Sequence, residues 1–259
     1  MVYKTITYEV KEGKIAVLTL NRPSDFNAIN QEMALELVSV LQEAERDEGV
    51  RVLIITGAGK AFCAGGDLAW LMRAVDNLEK RDIVDNAAAL ITELDRFTKP
   101  IIAAVNGVAA GAGTALVLGS DIIIASDKAK FTPNFVNIAA VPDSGASWYL
   151  PRKIGYHKAI ELMLTGRAVE AGEAYKLNIF NQVVPEDNLW EEVYSLATRL
   201  ANGPQRAVKY IKKMLKLSSK NDLAAQMETE ASLQLMAWSD DDFKEGVDAF
   251  LAKRNPQFQ

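Results

Sequence analysis

The chain has 259 residues, 49% of them hydrophobic, which is enough to bury a sizeable core as one large domain or a domain with an appendage. A net charge of −5 with dispersed basic residues excludes the electrostatic footprint of a nucleic-acid binder. One cysteine, Cys63, excludes an internal disulfide, and no apolar run reaches the ~18 residues of a membrane span. The opening MVYKTITYEV lacks the basic-then-apolar pattern of a secretion signal, so the expected location is the cytoplasm.

KIAVLTL (14–20) predicts a strand. NRPSDFNAIN (21–30) is loop chemistry, with Asn30 as N-cap of a helix over 31–46. VRVLIITG (50–57) predicts a buried strand feeding AGKAFCAGGDLAW, a small-residue loop that runs into a helix. KPIIAAVNG (99–107) is the next buried strand, followed by VAAGAGTALVLGS (108–120), small residues and then a helix. DIIIAS (121–126) is a third short strand and NIFNQVV (178–184) the last. Strands alternating with helices give an α/β core over 1–188, and the all-helical pattern of 189–259 a separate C-terminal region. The basic run KYIKKMLK (209–216) reads as a solvated helix face, with a local anion site as the alternative.

AGGDL (64–68) and GAGTA (111–115) are small-residue clusters at strand-to-helix junctions. Such junctions expose unpaired N–H groups, and small residues admit a ligand close to the backbone. They are either tight turns for close packing or, as a pair, donors to one oxygen. Neither fits the spacing of a phosphate loop or a dinucleotide fingerprint. Asp143, in AAVPDSGASWYLP (139–151), is a lone charge beside an apolar run. It is either a helix cap or a chemical group.

LNRPSDFNAIN, LIITGAGKAFCAGGDL, KPIIAAVNGVAAGAGTALVLGSDIIIAS, LTGRAVEAGEAYKLNIFNQVV and DDFKEGVDAFLAKRNPQF occur in this order. Together they resemble the enoyl-CoA hydratase/isomerase (crotonase) family over nearly the whole chain. The resemblance implies a spiral core of ββα units and a helical trimerisation region, with assembly as a homotrimer or hexamer. It implies an acyl-CoA thioester as substrate, coenzyme A being part of that substrate, with no separate cofactor, metal, nucleic acid or membrane partner. Carried over by position, the backbone N–H groups of Gly66 and Ala112 form the oxyanion hole. The adenine end of CoA lies along Lys60, Ala61, Phe62 and Ala64, with Asn27 and Ala28 near the pantetheine.

Hydratases of this family use two glutamates, and the corresponding positions here are Ala115 and Phe135, or Asn134 if the register slips by one. Neither is acidic. Isomerases of the family carry an acid in a P-D/E-x-G/C pattern, which VPDSG resembles. The resemblance thus implies Asp143 as the single acid/base of an enoyl-CoA isomerase. Phe135, Trp148 and Val141 are expected to desolvate its carboxyl, and Ala115, Phe135 and Trp148 to line the pocket. The alternatives are a hydratase or hydrolase acting on an unusual acyl-CoA, and a CoA-ester-binding subunit without catalysis.

The remaining candidates read as structural. His157, the one histidine, sits near a helix start, and the absence of histidine from 69–97 argues against the family's dehalogenases. Ser144 and Ser147 lack a positioned base. Cys63 reads as packing, Asp67 as a cap or loop ligand, and SDDDF (239–243) as a helix start.

Overall fold

The computed structural model describes residues 3–259. A first hairpin pairs β1 (Ile6–Lys11) antiparallel with β2 (Ile15–Leu20), its turn held by the Lys14 N–H donating to the Lys11 carbonyl at 3.0 Å. Asn30 then caps α1 (Gln31–Arg46), accepting from the Met33 N–H, as its sequence position predicts. Met33, Ala34, Leu37, Val40, Leu41 and Ala44 form the buried stripe of that helix.

Three ββα passages follow. β3 (Val52–Gly57) and β4 (Ala61–Cys63) lead into α2 (Leu68–Leu71) and α3 (Asn77–Arg96). β5 (Ile101–Val105) and β6 (Val108–Ala110) lead into α4 (Ala112–Gly119). β7 (Ile122–Ser126) and β8 (Lys130–Thr132) lead through a 3-10 turn at Phe135–Ile138 into α5 (Ala146–Ile154) and α6 (Tyr156–Thr165). In each passage the first strand joins one sheet and the second joins another. The larger sheet has the order β1-β2-β3-β5-β7-β10 and the smaller β4-β6-β8-β9, where β9 is Val169–Glu170 and β10 is Gln182–Val184. This is the spiral α/β core implied by the resemblance.

The continuous apolar runs of β3, β5 and β7 have a direct cause, since both faces of the large sheet are covered. Leu53, Ile55, Ile101, Ala103, Val105 and Ile123 face α1, α3 and α4. Val52, Ile54, Ile102, Ala104 and Ile124 face Leu189, Val193, Ala197 and Ala201 of α8 (Leu189–Ala201). The first helix of the C-terminal region therefore seals the core. α9 (Gln205–Leu217), α10 (Leu223–Trp238) and α11 (Asp241–Leu251) follow it, and Asp240 caps α11 as the SDDDF reading expects.

Two expectations change. The last strand is shorter than 178–184. Asn178, at φ +60°, and the Ile179 N–H close the end of α7 (Ala171–Lys176), so pairing begins only at Gln182. The basic run is not uniformly solvated either. Lys212 is largely shielded, its ammonium bonded to Asp121 at 2.5 Å and to the Lys99 carbonyl at 2.7 Å. It ties α9 to the core, so this lysine belongs to the packing rather than to a solvated face.

Candidate active site

A cavity of about 170 Å³ opens where loop 63–67, the start of α4 and segment 134–144 meet. Its walls are Ile29, Leu68, Leu71, Ile83, Leu90, Ile91, Leu116, Phe135 and Ile138. Gly66, Ala112, Asn134, Asp143 and Ser144 also line it, and Asp143 is the one ionisable group among the lining residues.

The first two of these supply backbone donors. A Cβ built on Gly65 would lie 3.3 Å from the Ala112 nitrogen and 2.9 Å from the Ala110 carbonyl oxygen, so the two glycine-rich loops abut. Gly65 has φ +100°, a conformation that L side chains resist. The loops are held by other amides. The Ile29 N–H donates to the Gly65 carbonyl at 2.7 Å and the Asp67 N–H to the Ile29 carbonyl at 2.9 Å. The Gly111 N–H donates to the Thr132 carbonyl and to Asn134 Oδ1, each at 3.1 Å. Among the described residues the Gly66 and Ala112 N–H groups have no acceptor. Two unspent donors thus face one cavity, an arrangement suited to a developing oxyanion.

Asp143 does not cap the helix that follows it. The N-cap of α5 is Gly145, with no side-chain bond, and Asp143 contributes only its backbone carbonyl, to the Ala146 N–H at 2.9 Å. Its carboxylate accepts from Ser144 Oγ at 3.0 Å. The residue is exposed at the edge of the cavity, with protein atoms around its carboxyl that partly desolvate it. That desolvation raises its pKa above the usual 3.8, against the opposing Ser144 bond. Such a carboxylate is a stronger proton acceptor than a free one.

Several expected site residues lie elsewhere. Trp148 does not line the cavity: its ring is covered by the Arg152 guanidinium, 4.2 Å from the ring centre, and the residue is 42% exposed. The turn of α5 carries it outward. Val141 is exposed as well and does not line the cavity, whereas the expected Phe135 does, together with Ile138 and Ile91. Ala115 is fully buried behind Ala112 and Leu116, which form the α4 wall. Asn27 is fully buried and committed: it accepts from the Arg22 N–H and donates to the Ala58 and Ala61 carbonyls. Its side chain holds the loop and is closed to a ligand. Phe62 lies in the core, and Ala61 is buried beside it. Lys60 is exposed, Ala28 is half-buried and Ala64 lines the cavity, so these three keep surface for a ligand.

Other readings hold. Asp67 caps α2 through the Trp70 N–H at 3.1 Å. Burial raises its pKa, but its bonds to Arg22 and to the amides of Trp70 and Ala69 outweigh that and hold it below the usual value. Cys63 is buried, its thiol pushed up to about 12 by desolvation, and is a packing residue. His157 lies exposed on α6 against Tyr156. Sequence reasoning missed Asn134 as an anchor of the Gly111 amide. It also missed Arg22, which bonds Asp67 and the Ala28 carbonyl; the arginine in NRP, at the end of a strand, was the available signal. Among the described residues no helix is long and apolar enough to cross a membrane.

Comparison with known proteins agrees with this geometry. The chain is 40% identical to 1,2-epoxyphenylacetyl-CoA isomerase of Escherichia coli K12, over 98% of this chain and 97% of that protein. It is 36% identical to crotonyl-CoA hydratase of Syntrophomonas wolfei, over 100% of this chain and 99% of that one. The crystal structure of enoyl-CoA hydratase subunit I from Geobacillus kaustophilus superposes with a TM-score of 0.93 at 35% identity, covering 99% of this chain and 98% of that one. The sequence model of the family matches residues 10–259. A spiral α/β core, two abutting glycine loops with free amides and this match together show that the chain belongs to the enoyl-CoA hydratase/isomerase family of enzymes.

Proposed function

We propose that this enzyme is an enoyl-CoA isomerase that moves a double bond along an acyl-CoA thioester, with Asp143 as its acid/base. The observation that carries this reading is a single carboxylate in a mostly apolar cavity, beside two free backbone N–H groups. The thioester oxygen accepts from the Gly66 and Ala112 amides. Asp143 removes a proton from the carbon next to the carbonyl, and the charge passes to the oxygen as a dienolate. The same carboxylic acid returns the proton two carbons along. Bonds to the oxygen that strengthen as charge develops lower the barrier. With Ala115 and Phe135 at the hydratase glutamate positions, no second carboxylate stands ready to orient water. Lys60, Ala28 and Ala64, which keep accessible surface, are the residues of the expected CoA path left to contact that moiety.

The test is a turnover assay in oxygen-18 water on 2-enoyl- and 3-enoyl-CoA esters. The expected product has unchanged mass, a shifted spectrum and no oxygen label. Efficient labelling of a 3-hydroxyacyl-CoA means hydration, the reading that the crotonyl-CoA hydratase relative would favour. Tight binding without turnover means a CoA-ester-binding subunit.

The pH dependence has a defined sign. The base must be ionised, so kcat/KM is present above the folded pKa of Asp143 and lost as pH falls through it. Desolvation places that acid limb above the usual aspartate value of 3.8. Ser144→Ala removes the bond that lowers this pKa, and the limb is expected to move to higher pH in a profile of kcat/KM. An unmoved limb would detach it from Asp143.

We also propose that the C-terminal helices carry a subunit interface. Leu223, Met227, Leu235, Met236 and Trp238 of α10 are exposed, whereas Leu233 packs inward. So much unpaired apolar surface on one helix favours association. Light scattering is expected to give a homotrimer or hexamer, and a clean monomer at micromolar concentration would overturn this.

A further inference from the structure

The cavity draws one of its two donors from a loop with little structure of its own. Residues 63–67 connect β4 to the four-residue helix α2, and what holds them is the preceding loop, 21–30. The Ala64 N–H donates to the Phe26 carbonyl at 3.0 Å, and Ile29 and Gly66 form a parallel bridge. One side chain closes this ladder from outside. Arg22 Nη1 donates to the Ala28 carbonyl at 2.5 Å, and Nη2 donates to Asp67 Oδ2 at 2.9 Å, with Asp25 Oδ2 at 3.0 Å. Asp67 directly follows Gly66, and its other oxygen caps α2.

The pair is well shielded, at 17% exposure for the Arg22 side chain and 16% for that of Asp67. A shielded, doubly bonded guanidinium is more rigid than a surface ion pair. The chain at Phe26 and Asn27 is left-handed, φ +50° and +58°, so loop 21–30 holds a shape that its backbone alone does not favour. Arg22 joins that shape to Asp67. Remove the guanidinium and the peptide between Gly65 and Asp67 loses its outer tether. The direction of the Gly66 N–H is then set by the hydrogen bonds of Ile29 alone, to the Gly65 carbonyl and from the Asp67 N–H, and is held less tightly.

We propose that Arg22 is a positioning residue for the oxyanion hole, acting through Asp67 to aim the Gly66 N–H into the cavity. This deepens the proposed function and rests on its assignment of Gly66 as a donor. Arg22 itself lies outside the cavity lining and touches no reacting atom. Its effect therefore falls on the oxyanion rather than on ground-state binding.

The test compares Arg22→Met, Arg22→Lys, Asp67→Asn and the Arg22→Met/Asp67→Asn double variant in the full chain. Two readouts are taken: kcat and KM on a 3-enoyl-CoA, and the near-ultraviolet band of the enolate formed by a bound 3-ketoacyl-CoA. A small misalignment of a catalytic contact costs up to about 10²-fold in rate. The expected result is a fall in kcat of roughly 10–100-fold for Arg22→Met, KM within about threefold, and a weakened enolate band. Arg22→Lys restores part of both, and the double variant is no worse than the poorer single one, since the pair acts as a unit. An unchanged enolate band and kcat, with only a lowered melting temperature, would show a purely structural ion pair and overturn the proposal. Additive losses in the double variant would also overturn it. Asp67→Asn is nearly isosteric and carries the comparison if Arg22→Met does not fold. A wild-type protein that forms the enolate but does not isomerise defeats the isomerase reading alone, because the band still reports on Arg22.

Discussion

Asp143→Asn is expected to lower turnover by about 10²–10⁴-fold, the usual worth of a positioned general base, with the acyl-CoA still bound and the melting temperature unchanged or raised. An amide keeps the shape of the side chain and the contact with Ser144 but cannot take up a proton as a carboxylate does. The stability half follows from linkage. Desolvation raises the pKa of Asp143 in the folded protein, so folding favours its protonated form. Its contribution to stability is present below the unfolded pKa and lost as pH rises through the folded pKa. At neutral pH the ionised group is a cost, which asparagine relieves. A capping aspartate behaves in the opposite way, and its loss costs about 1 kcal/mol. Kinetics on the best enoyl-CoA and a thermal melt at pH 7 check both halves. Near-native turnover would leave Asp143 without a chemical role, and a clear drop in melting temperature would restore the cap.

How far the sequence carried depends on how each feature is encoded. β3, β5 and β7 were legible because both their faces are buried, which writes an unbroken apolar run. The caps of α1 and α11 were legible because Asn30 and Asp240 do a local job that needs only their neighbours. The smaller sheet was not. β4, β6 and β8 have three residues each, too few to show a period. That also hid the repeated strand–strand–helix passage, which is a repeat of topology with no repeat of residues. β1 was missed because it is an edge strand whose middle residues are mostly exposed.

The site was legible where chemistry was conspicuous and misread where geometry decided. Asp143 stood out as a lone charge, and it is the one ionisable group lining its cavity. Trp148 looked like a pocket wall from its neighbourhood in sequence, but the phase of α5 sends its ring to Arg152. Asn27 looked like a ligand group because it is polar in a loop, yet its hydrogen bonds are spent within the fold. Periodicity cannot separate a polar side chain that waits for substrate from one that holds a loop; only its partners can.

The second large effect is expected at a residue that makes no contact through a side chain. Gly65→Ala is expected to reduce kcat by roughly 10²-fold, comparable to removal of one oxyanion donor, with a smaller change in KM. Two causes act together. At φ +100° the new residue is forced into a conformation that costs an L side chain about 1–2 kcal/mol. Its Cβ would also lie 2.9 Å from the Ala110 carbonyl oxygen and 3.3 Å from both the Ala112 nitrogen and the Gly111 Cα, all of them backbone with little room to give. Relief requires the two loops to separate. That moves the Gly66 and Ala112 amides apart, so one oxygen no longer receives both bonds at full strength. The loss falls in the transition state, where charge on the oxygen is greatest, and hence in kcat. Gly172→Ala is the control: a Cβ there meets nothing within 4 Å, and the position lies inside α7. It is expected to leave kcat alone and to raise stability by about 0.5–1 kcal/mol, the helix preference of alanine over glycine. Steady-state kinetics and melting curves on both variants decide the matter. Native kcat in Gly65→Ala would mean that the two loops tolerate separation and that their amides do not act as a pair.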